Sequence, residues 1–310
     1  MNNRILTPIL LLLAISPGCS KRPTKPPDDG LAKREWFREP CYSRTDGTIY
    51  FRYVGEGKYP PGIYRFSLAD TTAPRLPEFL ELDGQRPAIS PCGNKLAFWR
   101  YYQLWVRDLT TGNSEMVYYK YDSLLISISW LGCDTIIYST LDHMTVNFLD
   151  LSSRHATPWQ FLGKDVTVSD DRRTWAFQGN EFDSNLYVFH DADLDTFIMP
   201  PSMARVYRPR ISPNGQSVVF GHLWNNGIWT RPESTRAYYT IDILNPASGN
   251  LATLIESWRG DYPTWVDDST ILYVSLDWER YHSLWLTDLT GHNKKLVLDP
   301  LIFFPKEEGQ

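Results

Sequence analysis

The sequence predicts an all-β fold, a six-bladed β-propeller of four-stranded antiparallel blades. Three observations point to it. Residues 86–98 (RPAISPCGNKLAF) and 208–220 (RPRISPNGQSVVF) are near copies of each other. The chain is rich in strand-forming aromatics, with 18 Tyr, 14 Phe and 12 Trp. No long amphipathic helix pattern interrupts it after residue 40.

The repeat justifies each blade in turn. From Ser90 to Phe98 is a step of eight, and Ser43 to Phe51, Ser169 to Phe177 and Ser212 to Phe220 repeat it. In two further copies a Trp takes the place of the Ser: Trp130 to Tyr138 and Trp265 to Tyr273. A Pro stands at or beside the start of four copies, at Pro40, Pro87, Pro209 and Pro263. The closing aromatics are separated by 47, 40, 39, 43 and 53 residues, the period of propeller blades. A second half-motif recurs as LWVRDLTTGN (104–113) and LWLTDLTGHN (284–293).

Within a unit, the first run is short and innermost. A Pro-x-Gly turn follows, where Gly can take φ > 0. The second run (KLAFW, SVVFG) is apolar throughout, as expected of a strand covered on both faces. The third alternates, and a Gly/Asn/Asp turn leads to the fourth. One such sheet cannot bury both faces alone; six around an axis can.

These motifs resemble the TolB-type WD40-like repeat over roughly residues 41–299. Cys92 and Asn214 stand where the family's turn has Asp, which puts an Asp-dependent turn hydrogen bond in doubt. The resemblance implies a six-bladed propeller with a binding role, and names no ligand.

The ends read differently. Arg4 and the apolar run Ile5–Ile15 suit a signal peptide and are too short to span a bilayer. The run ends in ISPGCS (15–20), which resembles the lipobox of bacterial lipoproteins, with Cys19 as the lipidated residue. Ser20 after that Cys points by the same resemblance to the outer membrane. The expected division is a signal peptide over 1–18, lipidated Cys19 and a flexible tether over 19–40, the propeller over 41–299, and a tail over 300–310. The expected location is therefore the outer membrane, lipid-anchored, facing the periplasm or the cell surface.

Net charge is −5, from 31 basic and 36 acidic residues. No basic block stands out beyond the N-terminal region, which argues against a nucleic-acid partner. There is no G-x-S-x-G, and the six His show no H-x-x-x-H spacing. Innermost-strand positions read mostly as Ala, Ser, Thr and apolar residues, with Arg210 the exception. The expectation is thus a non-catalytic scaffold without cofactor, monomeric, binding an envelope protein or glycan. The alternatives are a lyase or glycan hydrolase using the central channel, and a small-ligand-sensing lipoprotein.

The candidate partner surface is the set of loops between second and third strands. They carry Trp99, Arg100 and Tyr101; Trp224, Trp229 and Arg231; and Trp278, Arg280 and Tyr281, residue types enriched at binding hot spots. Asp191, Asp193 and Asp195 have the spacing of half a calcium loop, but Thr196 and Ser202 stand where Gly and Glu are needed. An acidic turn between third and fourth strands is the plainer reading. Cys92 and Cys133 fall in the same turn of consecutive blades. With equivalent points expected on the order of 10 Å apart, free thiols are expected, with a disulfide linking the two turns as the alternative. Cys41 is expected in the first inner strand.

Overall fold

The computed structural model describes residues 36–55, 59–68, 76–119, 125–140, 144–179, 185–191, 193–197, 203–224, 238–255, 260–275 and 282–299. The signal-peptide and lipidation residues, Cys19 among them, and the tail lie outside these.

Each blade is one uninterrupted stretch of chain folded into a four-stranded antiparallel meander. Blade 1 holds β1 (Trp36–Ser43), β2 (Thr48–Val54), β3 (Gly62–Ser67) and β4 (Glu78–Leu82). Blade 2 holds β5 (Gln85–Ile89), β6 (Lys95–Arg100), β7 (Gln103–Asp108) and β8 (Ser114–Tyr119). Blade 3 holds β9 (Leu125–Trp130), β10 (Thr135–Thr140), β11 (Thr145–Asp150) and β12 (Ala156–Leu162). Blade 4 holds β13 (Lys164–Val168), β14 (Thr174–Gln178), β15 (Leu186–His190) and β16 (Asp193–Phe197). Blade 5 holds β17 (Met203–Ile211), β18 (Val218–Trp224), β19 (Tyr238–Asn245) and β20 (Asn250–Ile255). Blade 6 holds β21 (Asp261–Trp265), β22 (Thr270–Val274), β23 (Leu284–Asp288) and β24 (Lys294–Leu298). The first strand extends N-terminal of residue 41, since Trp36–Arg38 pair with Arg52–Val54.

The closing aromatics sit in β2, β6, β10, β14, β18 and β22, and all six are buried. The core has no single centre. Its six apolar clusters each join two neighbouring blades, and one of them joins blade 1 to blade 6 through Phe37, Phe51, Tyr53, Tyr64, Tyr262, Leu272 and Leu298. The ring is therefore closed. In this ring the apolar surface of each sheet is buried by its neighbours.

The repeated Ser has a local role. The hydroxyls of Ser90, Ser169 and Ser212 accept from the backbone N–H of Lys95, Thr174 and Ser217 at 3.0–3.1 Å, fastening the turn after the inner strand. Asn214 replaces the family's Asp without loss, since its Oδ1 accepts from Ser212 Oγ at 2.7 Å and from Gln216 N at 3.0 Å. Gly47, Gly93 and Gly215 take φ of 71–72° in these turns. In blade 4 Arg172 holds the corresponding place at φ 63°. The turns of blades 3 and 6 are one residue shorter, with Leu131 and Val266 bonded to Thr135 and Thr270. There the preceding Trp reaches back one blade: Trp130 Nε1 donates to Ala88 O and Trp265 Nε1 to Arg210 O, both at 2.8 Å.

Cys92 and Cys133 form a disulfide with Cα atoms 5.5 Å apart, contrary to the free thiols expected. The expectation used a mid-blade separation, but these turns cap the innermost strands, where adjacent blades converge. Among the described residues Cys41 is the free cysteine, packed beside Ile89 at the seam of blades 1 and 2.

Candidate functional site

The inner strands do not run straight down the channel. Each of the six carries an extra residue relative to its partner, a β-bulge, and β17 carries two, the one at Tyr207–Arg210 matching the others. In five of them the first bulge residue is left-handed: Glu39 (φ 53°), Arg86 (51°), Asp165 (53°), Arg208 (49°) and Tyr262 (53°). In four the next residue is the Pro of the repeat. A Pro has no N–H, so it fits where a bulge leaves one unpaired. A left-handed non-glycine residue costs about 1–2 kcal/mol, and such strain gathers at ligand sites.

These five side chains help line a cavity of about 310 Å³ in the central channel. It spans the half between the bulges and the turns after the inner strands, because its wall also includes Ser90, Leu131, Ser169, Asp170, Arg172 and Trp265. The channel wall is thus charged, which corrects the sequence expectation of a mostly small and apolar lining. The bulge shifts the alternation by one residue, so the position before each Pro reaches the channel.

The charges are partly paired, blade to blade. Glu39 Oε2 accepts from the Arg86 backbone N–H at 2.7 Å, with the guanidinium Nε 4.0 Å from Oε1. Arg208 Nη1 donates to both oxygens of Asp261, at 2.8 and 3.1 Å, and its guanidinium lies 3.6 Å over the ring of Tyr262. Burial disfavours the Arg208 charge, but Asp261, Tyr262, Asp165 and Glu39 together outweigh it and hold the pKa above the ordinary arginine value. Between blades 3 and 4, the Asp165 N–H donates to Ser127 Oγ at 3.0 Å. At the turn end, Arg44 of blade 1 forms a two-point ion pair with Asp170 of blade 4, one contact being 2.6 Å.

Arg210 stands apart. Burial lowers its pKa, and Asp165 across the cavity only partly offsets this. Its guanidinium donates to the Pro209 carbonyl at 2.9 Å. Cys41 also lines the cavity; burial pushes its thiol up to about 12, so it stays protonated and a poor nucleophile at neutral pH. Among the described residues, no group of three or more His, Cys, Asp and Glu is placed to hold a metal.

The sequence-predicted loop residues fare unevenly. Trp99 is 7% exposed and belongs to the core between blades 2 and 3, so it is no contact residue. Arg100 lies 3.9 Å over the ring of Trp105 and 3.4 Å from Glu81, holding the outer part of the sheet. Tyr101 is 65% exposed at a hairpin tip, its hydroxyl donating to Asp83. Trp224 closes β18 by pairing with Tyr238, and nothing is described of its side chain. Trp229, Arg231, Trp278, Arg280 and Tyr281 lie outside the described residues. The calcium spacing is not a loop: β15 and β16 pair His190 with Asp193 and Val188 with Asp195, and Asp191 is held by Arg173 through two contacts of 2.7 Å.

No protein-family model matches the chain, and no curated protein sequence matches it. Solved structures do. TolB from Acinetobacter baumannii is similar at 14% identity and a TM-score of 0.54, over 84% of this chain and 62% of that one. The fold is TolB-like. The chain spans about three-fifths of that protein's length. An oligogalacturonate lyase in complex with manganese is similar at 14% identity and a TM-score of 0.54, over 86% and 77% of the two chains. The β-propeller domain of the Trilobed protease from Pyrococcus furiosus, which has an open velcro topology, is similar at 14% identity and a TM-score of 0.53, over 86% and 99%. At these identities the likeness is one of fold.

Proposed function

We propose that this protein is a binding module of the bacterial envelope, lipid-anchored through Cys19, that takes its ligand in the central channel. The observation that carries this reading is the ring of left-handed bulge residues around a charged cavity of about 310 Å³. That volume lies at the small end of ligand pockets. The reading moves the site from the outer loops, where Trp99 is buried, to the axis.

Capture on the full-length protein from its native membrane tests it. Ser129, on the cavity wall, is replaced by Trp to fill the channel. The wild type should retain a ligand or partner that Ser129→Trp loses while remaining folded. Equal recovery by both returns the site to the outer loops.

A propeller enzyme working in the channel is the second reading. The charged wall, with Asp165 open to the cavity, favours it over a smooth one, and the similar lyase shows that such a fold can host an enzyme. Mass spectrometry of the retained ligand separates the two: a binder returns it chemically unchanged, and an enzyme returns product.

A further inference from the structure

Five arginines and three carboxylates line the cavity. Most are already engaged. Glu39 serves Arg86, Asp170 serves Arg44, and Asp261, just beyond the lining, serves Arg208. Arg172 lies at the solvent-exposed turn. Two groups remain: Arg210 of blade 5 and Asp165 of blade 4. Both line the cavity, and among the described residues no ion pair reaches either one. They feel each other's field across the space between them without touching.

This is an unusual arrangement to leave in a partly enclosed channel. A charge removed from water and not paired is costly, and two such charges of opposite sign within one small cavity could have closed on each other. They are held apart by backbone. Asp165 sits at a left-handed bulge whose N–H is fixed to Ser127 Oγ, and the Arg210 carbonyl is fixed by the Trp265 indole. The space between them is a socket with a positive and a negative pole. A simple anion would satisfy Arg210 but add repulsion at Asp165, and a simple cation would do the reverse. A neutral ligand carrying both charges satisfies both poles at once.

Resting on the channel reading above, we propose that the ligand is a zwitterion, an amino acid or a compound with ammonium and carboxylate groups a few bonds apart. Arg210 receives its carboxylate, for which the planar guanidinium fork is the matching shape. Asp165 receives its ammonium. The cavity corresponds to the liquid volume of on the order of ten waters, which suits a single amino acid rather than a long chain.

Calorimetric titration of the full-length protein with each of the twenty amino acids tests this. Any that binds is compared with its des-amino and decarboxylated analogues, such as propionate and ethylamine for alanine. At least one amino acid should bind, with either analogue at least tenfold weaker. Asp165→Asn should abolish the preference over the des-amino analogue, and Arg210→Gln the preference over the amine. Should a variant fail to fold, the analogue comparison on the wild type decides alone. Binding of no amino acid, or equal binding of an acid and its des-amino analogue, overturns the proposal. A partner captured through the channel with no zwitterion bound sinks this inference and leaves the channel reading standing.

Discussion

Two seams of the ring are held in different ways. Between blades 2 and 3 the contact is covalent as well as apolar. The Cys92–Cys133 disulfide, the Trp130 hydrogen bond to Ala88, and the ion pairs of Lys95 with Asp134 and Arg154 with Glu115 all cross it, over the Trp99–Tyr138 cluster. Between blades 6 and 1 the ring closes through a different material. Within blade 1, Phe37 meets Phe51 edge-on at 4.8 Å and Tyr53 meets Tyr64 edge-on at 5.7 Å, and this aromatic face packs against Tyr262, Leu272, Val274, Leu284 and Leu298 of blade 6. Among the described residues every sheet is built from one contiguous stretch of chain. The difference teaches where strength is needed. A seam between consecutive blades is kept near by the chain itself, whereas the closing seam rests on a buried cluster of aromatic and aliphatic side chains, at roughly 25 cal/mol per Å².

The largest way to break the comparison is at the closing seam. Phe51→Ala should cost about 4 kcal/mol in urea unfolding, because Phe51 is fully buried against Phe37 and Tyr64. A cost below about 1 kcal/mol would mean that aromatic packing does not hold the closure. Replacing both Cys92 and Cys133 by Ser should cost about 3 kcal/mol, mainly by freeing the unfolded chain. The folded ring should persist, so near-ultraviolet circular dichroism should stay native.

Acid should act on the closing seam. His282 of blade 6 is lowered to about 4, first by burial and then by Arg38 of blade 1. The unfolded chain takes up this proton near pH 6.5 and the folded one only near 4, so stability falls as pH drops through that window. The expected loss between pH 7.5 and 5 is about 2 kcal/mol, and His282→Gln should abolish that part of the slope. The smallest effect should come from Trp130→Phe, about 1.5 kcal/mol, since one hydrogen bond to a strand carbonyl is lost together with part of a buried ring.

The fold was legible because propeller blades repeat their burial. Ser-to-aromatic steps of eight located every second strand, and all six closing aromatics are core residues. The channel was less legible. The sequence expectation took the innermost-strand positions as mostly Ala, Ser, Thr and apolar residues with Arg210 the exception, and so missed Glu39, Arg86, Asp165, Arg208 and Tyr262. The signal was present: Glu-Pro, Arg-Pro, Arg-Pro and Tyr-Pro in four copies. A Pro inside a strand marks a bulge, and a bulge changes which side chain faces the axis. The disulfide was missed for a related reason, since distance between blades depends on distance from the axis. Aromatic content alone misled at Trp99, where a large side chain next to a turn faces the core.

Contiguous sheets have a consequence for how the molecule is made. Translation delivers the blades one after another, and each can dock on its predecessor as soon as it appears. The blade 6 cover of the Phe37 and Phe51 cluster, Leu272 and Leu298 among it, arrives only with the sixth sheet. Until then the first blade shows a bare aromatic flank, the surface most in need of shelter while the chain is still being finished.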